Sequence, residues 1–115
     1  MQMNKITADK QNIELVNRIK LYVMYSLLGR ATKKMRGITA NINNNNDLLI
    51  EMFFDSELTE EEEEEMEVAH TEIVSDLYQE FNGMYLNLTV ITSSTSLSGK
   101  NANLGWFFLR REYEQ

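Results

Sequence analysis

Residues 56–81 read SELTEEEEEEMEVAHTEIVSDLYQEF. Thr59 stands three residues before Glu62, the S/T-x-x-E pattern in which a side-chain oxygen and a carboxylate reciprocally satisfy the free amides of a helix start. The glutamates Glu60 to Glu65 follow, and carboxylates in a first turn are favoured by the positive end of the helix dipole. Apolar residues then recur at Met66, Ala69, Ile73, Leu77 and Phe81, with Val74 and Tyr78 widening the stripe. This spacing predicts an amphipathic helix with one buried face. At about 100° per residue, Glu61, Glu65, Glu72 and Asp76 share a narrow sector beside that stripe. Such a ridge is either a solvated face or a docking surface for a basic partner.

Outward from this helix, 115 residues support one domain and one core, residues 1–115, with residues 1–8 expected to be flexible. No apolar run approaches the roughly 18 residues of a membrane helix. Residues 1–9 are polar, without the hydrophobic region of a signal peptide, so a cytoplasmic location is expected. With no cysteine there is neither a disulfide framework nor a thiolate metal site. The net charge of −7 is unevenly spread. Residues 37–99 contain 14 acids and no Lys or Arg, whereas residues 1–36 hold eight of the 11 basic residues. An acidic middle repels nucleic acid, since phosphate binding relies on Lys and Arg to release counterions. Its natural complement is a basic protein.

Ahead of the acidic helix, residues 1–7 read as a loose lead, with Thr7 or Asp9 as helix caps. Ile13, Val16, Ile19, Val23 and Leu27 repeat at spacings of three and four. Residues 21–28 are apolar almost all round, which predicts that this half of the helix is deeply covered. Gly29 is the expected stop, followed by a basic connection at 30–35; a helix running on to Lys34 is the alternative. Residues 36–42 and 48–55 alternate as strands around an asparagine turn at 43–46, an antiparallel hairpin. Asn82-Gly83 is the expected end of the acidic helix. Residues 84–92 form a third strand, residues 93–103 a polar loop, and residues 104–111 a fourth strand, with Arg110, Arg111 and Glu112 closing the chain at the surface.

The expected fold is a two-layer α+β domain of order αββαββ, with a four-stranded antiparallel sheet and both helices on one face. Its core should include Ile38, Ile42, Ile50, Phe54, Ile73, Leu77, Leu86, Leu88, Trp106 and Phe108. The opposite sheet face should carry Thr39, Asn41, Glu51, Phe53, Asp55, Tyr85, Asn87, Thr89 and Phe107.

Signs of catalysis are weak. His70, the single histidine, falls in the apolar arc and has no Ser or Cys nucleophile motif to serve, so a structural role is expected. There is no G-x-S-x-G, H-E-x-x-H, P-loop or EF-hand spacing. The glutamate run points all round its helix and cannot converge on one ion. A non-enzyme without cofactor or metal is the reading.

Several patches also resemble a known group of proteins. They are Leu27-Leu28-Gly29 with its basic connection to Arg36, Phe53-Phe54-Asp55, Leu58-Thr59-Glu60-Glu61, Thr71-Glu72-Ile73-Val74-Ser75-Asp76, and Gly105-Trp106-Phe107-Phe108-Leu109-Arg110-Arg111-Glu112. Over residues 27–112 the chain resembles the small bacterial immunity proteins of contact-dependent growth inhibition and other polymorphic toxin systems. The resemblance implies a cytosolic, non-catalytic inhibitor of one toxin domain, and many such toxins are basic nucleases directed at tRNA or other RNA. The expected partner surface is the ridge Glu61, Glu65, Glu72 and Asp76, extended by Asp55 and Glu57, with Phe53 or Tyr85 as an aromatic anchor; no direct nucleic-acid or membrane contact is expected. The alternative is a non-catalytic regulatory or structural module that self-associates by pairing its basic N-terminal half with its acidic helix.

Overall fold

The computed structural model describes residues 5–30, 32–92 and 104–110. The lead at 1–4, residue 31, the polar loop at 93–103 and the closing residues 111–115 lie outside the described residues, as do the side chains of residues 5–12, Phe108 and Leu109. The elements are α1 (Lys5–Leu27), β1 (Met35–Ile42), β2 (Asp47–Phe54), α2 (Glu60–Leu77), a 3-10 turn (Tyr78–Glu80), β3 (Gly83–Val90) and β4 (Trp106–Leu109). The 3-10 turn is an element that the simple αββαββ order lacks. In space the strands run β3-β2-β1-β4.

The hairpin of β1 and β2 is antiparallel, with Ile38 opposite Met52, Ala40 opposite Ile50 and Ile42 opposite Leu48. These residues point at the helices. From α1 the core receives Ile19, Val23 and Leu27, and from α2 Met66, Ala69, Ile73 and Leu77. Both helices therefore cover one face of the sheet. Leu86 and Leu88 of β3, and Ile42, are partly buried and pack against the same core.

The sheet is mixed, not antiparallel: β3 runs parallel to β2, with Asp47 opposite Gly83 and Phe54 opposite Val90. The cause is one of length. The 18 residues of α2 span about 27 Å at 1.5 Å each, close to the ~26 Å of the eight-residue β2. The helix thus carries the chain back to where β2 began. There the asparagine turn receives it. Asn43 Oδ1 accepts from the amides of Asn45 and Asp47, both at 2.9 Å, and Asn46 adopts φ 61°. Asn46 Nδ2 then donates to the Glu80 carbonyl at 2.8 Å, and the Asn82 amide donates to the Asn46 carbonyl at 2.9 Å. These bonds seat β3 in parallel register.

Three local expectations also change. First, α1 starts at Lys5, ahead of Thr7 and Asp9; Gly29, at φ 79°, does follow its last turn. Second, α2 ends through the 3-10 turn and not by a left-handed glycine, and Gly83 opens β3. Third, Trp106 does not face the helices. Ile38 pairs with Phe108 but Thr39 pairs with Trp106, so Phe107 is an extra residue that breaks the alternation. Phe107 packs on the core instead. Trp106 lies on the opposite face against Phe53, ring centroids 5.7 Å apart and planes inclined at 43°.

The largest departure is on α1. Val23, Ser26 and Leu27 are buried, but Leu21 is 51% exposed, Met24 47%, Tyr25 62% and Leu28 70%. A helix in a two-layer fold has only one side against the sheet, so the all-round apolar run leaves its far side bare.

Candidate functional site

The acidic helix is fixed first at its entry. Thr59 Oγ1 accepts from the Glu62 amide at 3.0 Å, and Glu62 Oε1 accepts from the Thr59 amide at 2.8 Å. Lys34, from the connection after α1, donates through Nζ to Glu62 Oε1 at 2.7 Å, and Thr32 Oγ1 to Glu62 Oε2 at 3.2 Å. The Lys34 ammonium, then the Thr59 amide, hold the Glu62 carboxyl down at about 2. Lys34 Nζ also donates to the Glu57 carbonyl at 2.8 Å, which ties down the approach to the helix.

Along the ridge, Arg30 lies between Glu65 and Glu72. Its Nε is 3.0 Å from Glu65 Oε1 and one terminal nitrogen is 2.9 Å from Glu72 Oε1. That same nitrogen donates to the Ser26 carbonyl at 2.9 Å. The hydrogen bond to Glu72 is the main reason the guanidinium is held charged above its usual range. Lower down, Arg18 meets Glu80 at 3.0 Å. The basic N-terminal half and the acidic helix thus pair within one copy of the chain. Six of the nine α2 carboxylates remain without an ion-pair partner among the described residues: Glu60, Glu61, Glu63, Glu64, Glu67 and Asp76. Asp76 lines an open hollow between the helices with Tyr25, Ser26, Glu72 and Ser75.

The expected site residues separate into three places. Glu61, Glu65, Glu72 and Asp76 lie together on α2, on the side nearest α1. Asp55 and the exposed Glu57 belong to the connection between β2 and α2. Partial burial pushes the Asp55 carboxyl up, but hydrogen bonds from Arg110, at 3.0 Å, and Ser56 outweigh it and hold the group below the usual range. Phe53 and Tyr85 project from the sheet face that the helices do not cover. Phe53 is only 2% exposed, whereas Tyr85 is 56% exposed. Between them Glu51 accepts from Asn87 Nδ2 at 3.0 Å and Thr89 Oγ1 at 3.2 Å. One flat partner therefore cannot span the ridge and Tyr85 together, because the thickness of the sheet separates them.

Burial lowers the pKa of His70, and His70 Nε2 and Trp106 Nε1 are buried with no hydrogen-bond partner among the described residues. No group of three or more His, Asp or Glu is placed to hold a metal ion among the described residues. No described helix is long and apolar enough to cross a membrane. Two features of this surface escaped sequence reasoning. Arg30 is 35 and 42 positions from its partners, so a count of basic residues inside the acidic stretch misses it. The bare face of α1 was visible as excess hydrophobicity, but periodicity alone treats such excess as buried. A family model for the MafI2 immunity protein matches residues 16–112. No curated protein matches the chain.

Proposed function

Because this chain belongs to the MafI2 immunity protein family, we propose that it binds and neutralises a basic cognate toxin domain through the acidic surface of α2. The toxin is a nuclease acting on tRNA or another RNA, and the chain inhibits it stoichiometrically, without turnover, in the cytoplasm. The observation that carries this reading is the set of six α2 carboxylates that have no ion-pair partner among the described residues once Arg30 and Lys34 have taken theirs. A nuclease needs a basic surface to hold phosphates, and that surface is complementary to this one. The acidic field steers the encounter and is screened over about 8 Å at physiological salt. Self-association through opposite charges draws less support, since Arg18, Arg30 and Lys34 already have partners within the chain.

The test is co-expression with the product of the open reading frame immediately upstream, taken as the candidate toxin domain, read as growth rescue and co-purification, with RNA cleavage by that purified product assayed with and without the chain. Glu61→Lys with Asp76→Lys is the informative variant, because neither residue has an ion-pair partner among the described residues to lose. It should fold, associate at least about tenfold more slowly at low salt, and protect cells less well. A variant that binds as fast and protects as well would move the contact off α2. A toxin that leaves RNA and DNA intact would remove the nuclease assignment alone.

A further inference from the structure

Leu21, Met24, Tyr25 and Leu28 are spaced i, i+3, i+4 and i+7, so they form one continuous stripe along the outer side of α1 and one residue past its end. Single exposed apolar residues need no explanation, but four in register on one helix mark a surface that is covered by something. The flanks of α1 are both tied down. Arg18 reaches Glu80 on the side of α2, and Lys20 Nζ sits 5.7 Å from the centre of the Phe107 ring on the side of β4. With Ile19, Val23 and Leu27 buried on the opposite side of the helix, the stripe faces outward between these contacts.

We propose that this stripe and the acidic surface of α2 are one composite docking surface, joined at the hollow where Tyr25 meets Glu72 and Asp76, and that its occupant is the basic toxin domain. The inference rests on the toxin-binding reading above and adds the apolar anchor that the charges lack. Charge complementarity selects the occupant. A partner seated on Tyr25 is brought within reach of Asp76 and of Glu72, whose charge Arg30 shares with Glu65, so it must present basic residues beside its apolar contact. A second copy of this chain fits poorly. Antiparallel pairing of two α1 stripes about a two-fold axis places both α2 helices on the same side, acid against acid. The apolar stripe is the water-excluding centre of the interface, and the carboxylates form its steering rim.

The chain lacks cysteine, so Met24→Cys and Tyr85→Cys can each carry a single environment-sensitive dye. Titration with the upstream-encoded toxin domain should blue-shift the dye at position 24 and leave that at position 85 unchanged. Leu21→Gln, Met24→Gln and Leu28→Gln combined keep helix-forming residues on an exposed face. This variant should melt like the parent, bind the toxin domain at least about thirtyfold more weakly, and retain the parent's salt dependence. Binding within about threefold of the parent, or a shift only at position 85, overturns the inference. So does a parent chain that sediments as a dimer, becomes monomeric in the triple variant and binds toxin equally well in both forms; the stripe then belongs to a second copy. A parent chain that does not bind the toxin domain removes the toxin reading itself, and this inference with it.

Discussion

The two helices cover the same sheet and meet solvent in opposite ways. On α2 the buried stripe of Met66, Ala69, Ile73 and Leu77 is backed by carboxylates; on α1 the buried stripe of Ile19, Val23 and Leu27 is backed by Leu21, Met24, Tyr25 and Leu28. A soluble fold alone explains the first arrangement. It does not explain the second, since nothing in the two-layer architecture rewards exposed leucine. The inward faces of both helices serve stability, and the proposed toxin contact assigns the outward faces to binding.

The sharpest way to break this division is to truncate an inward residue and an outward one of equal size. Ile73→Ala removes a fully buried side chain and should cost about 2–5 kcal/mol in urea unfolding, from lost transfer energy and the cavity left behind. Leu21→Ala, at an exposed position, should change stability by no more than about 0.5 kcal/mol. Equal losses at both sites would mean that the outer side of α1 is part of the folding core.

Next in size is the helix entry. Thr59→Ala removes the side-chain half of the reciprocal cap and should cost about 0.5–2 kcal/mol, while Ser75→Ala, on the exposed side of the same helix, should be nearly neutral. Acid titration probes the same point. The Glu62 carboxyl is held at about 2 against 4.5 for an unpaired glutamate. Its folded value is the lower one, so its contribution is fully present above about pH 4.5 and is lost as pH falls toward 2. Lys34→Met should flatten that segment of the stability profile, whereas Thr59→Ala keeps the backbone amide that donates to Glu62 Oε1 and should leave most of it in place. An unchanged profile in Lys34→Met would show that the cap amide alone holds the charge.

The smallest effect concerns His70. Burial lowers its pKa below 6.5, so the unfolded chain takes up the proton first. Stability should therefore begin to fall as pH drops below about 6.5 and stop falling once the folded histidine is also protonated. His70→Leu should remove this shallow step and leave toxin binding within about tenfold. Loss of an activity in a folded His70→Leu protein would contradict the non-catalytic reading.

Much of the architecture was legible because it rests on local signals. The capping box at Thr59, the alternation in residues 36–42 and 48–55, and the asparagine turn all lie within a few residues of the structure they cause. The departures come from relations between distant parts. Parallel pairing of β3 depends on α2 matching β2 in length. The outward turn of Trp106 depends on a bulge that only pairing with β1 creates. In the site, the acidic ridge could be drawn from the helical period, but its partial neutralisation by Arg30 required the fold that brings α1 and α2 together. Phe53 and Tyr85 looked like neighbours of the ridge because sequence places them near its strands and helix, yet the thickness of the sheet lies between.

The direct test of the central claim is amide hydrogen exchange on the full chain, alone and saturated with the upstream-encoded toxin domain. Added protection should concentrate in residues 17–30 and 60–77, the outward sides of α1 and α2, and leave residues 83–90 unchanged. Protection confined to residues 83–90, with both helices exchanging as in the free chain, would contradict the account and place the toxin on the uncovered face of the sheet.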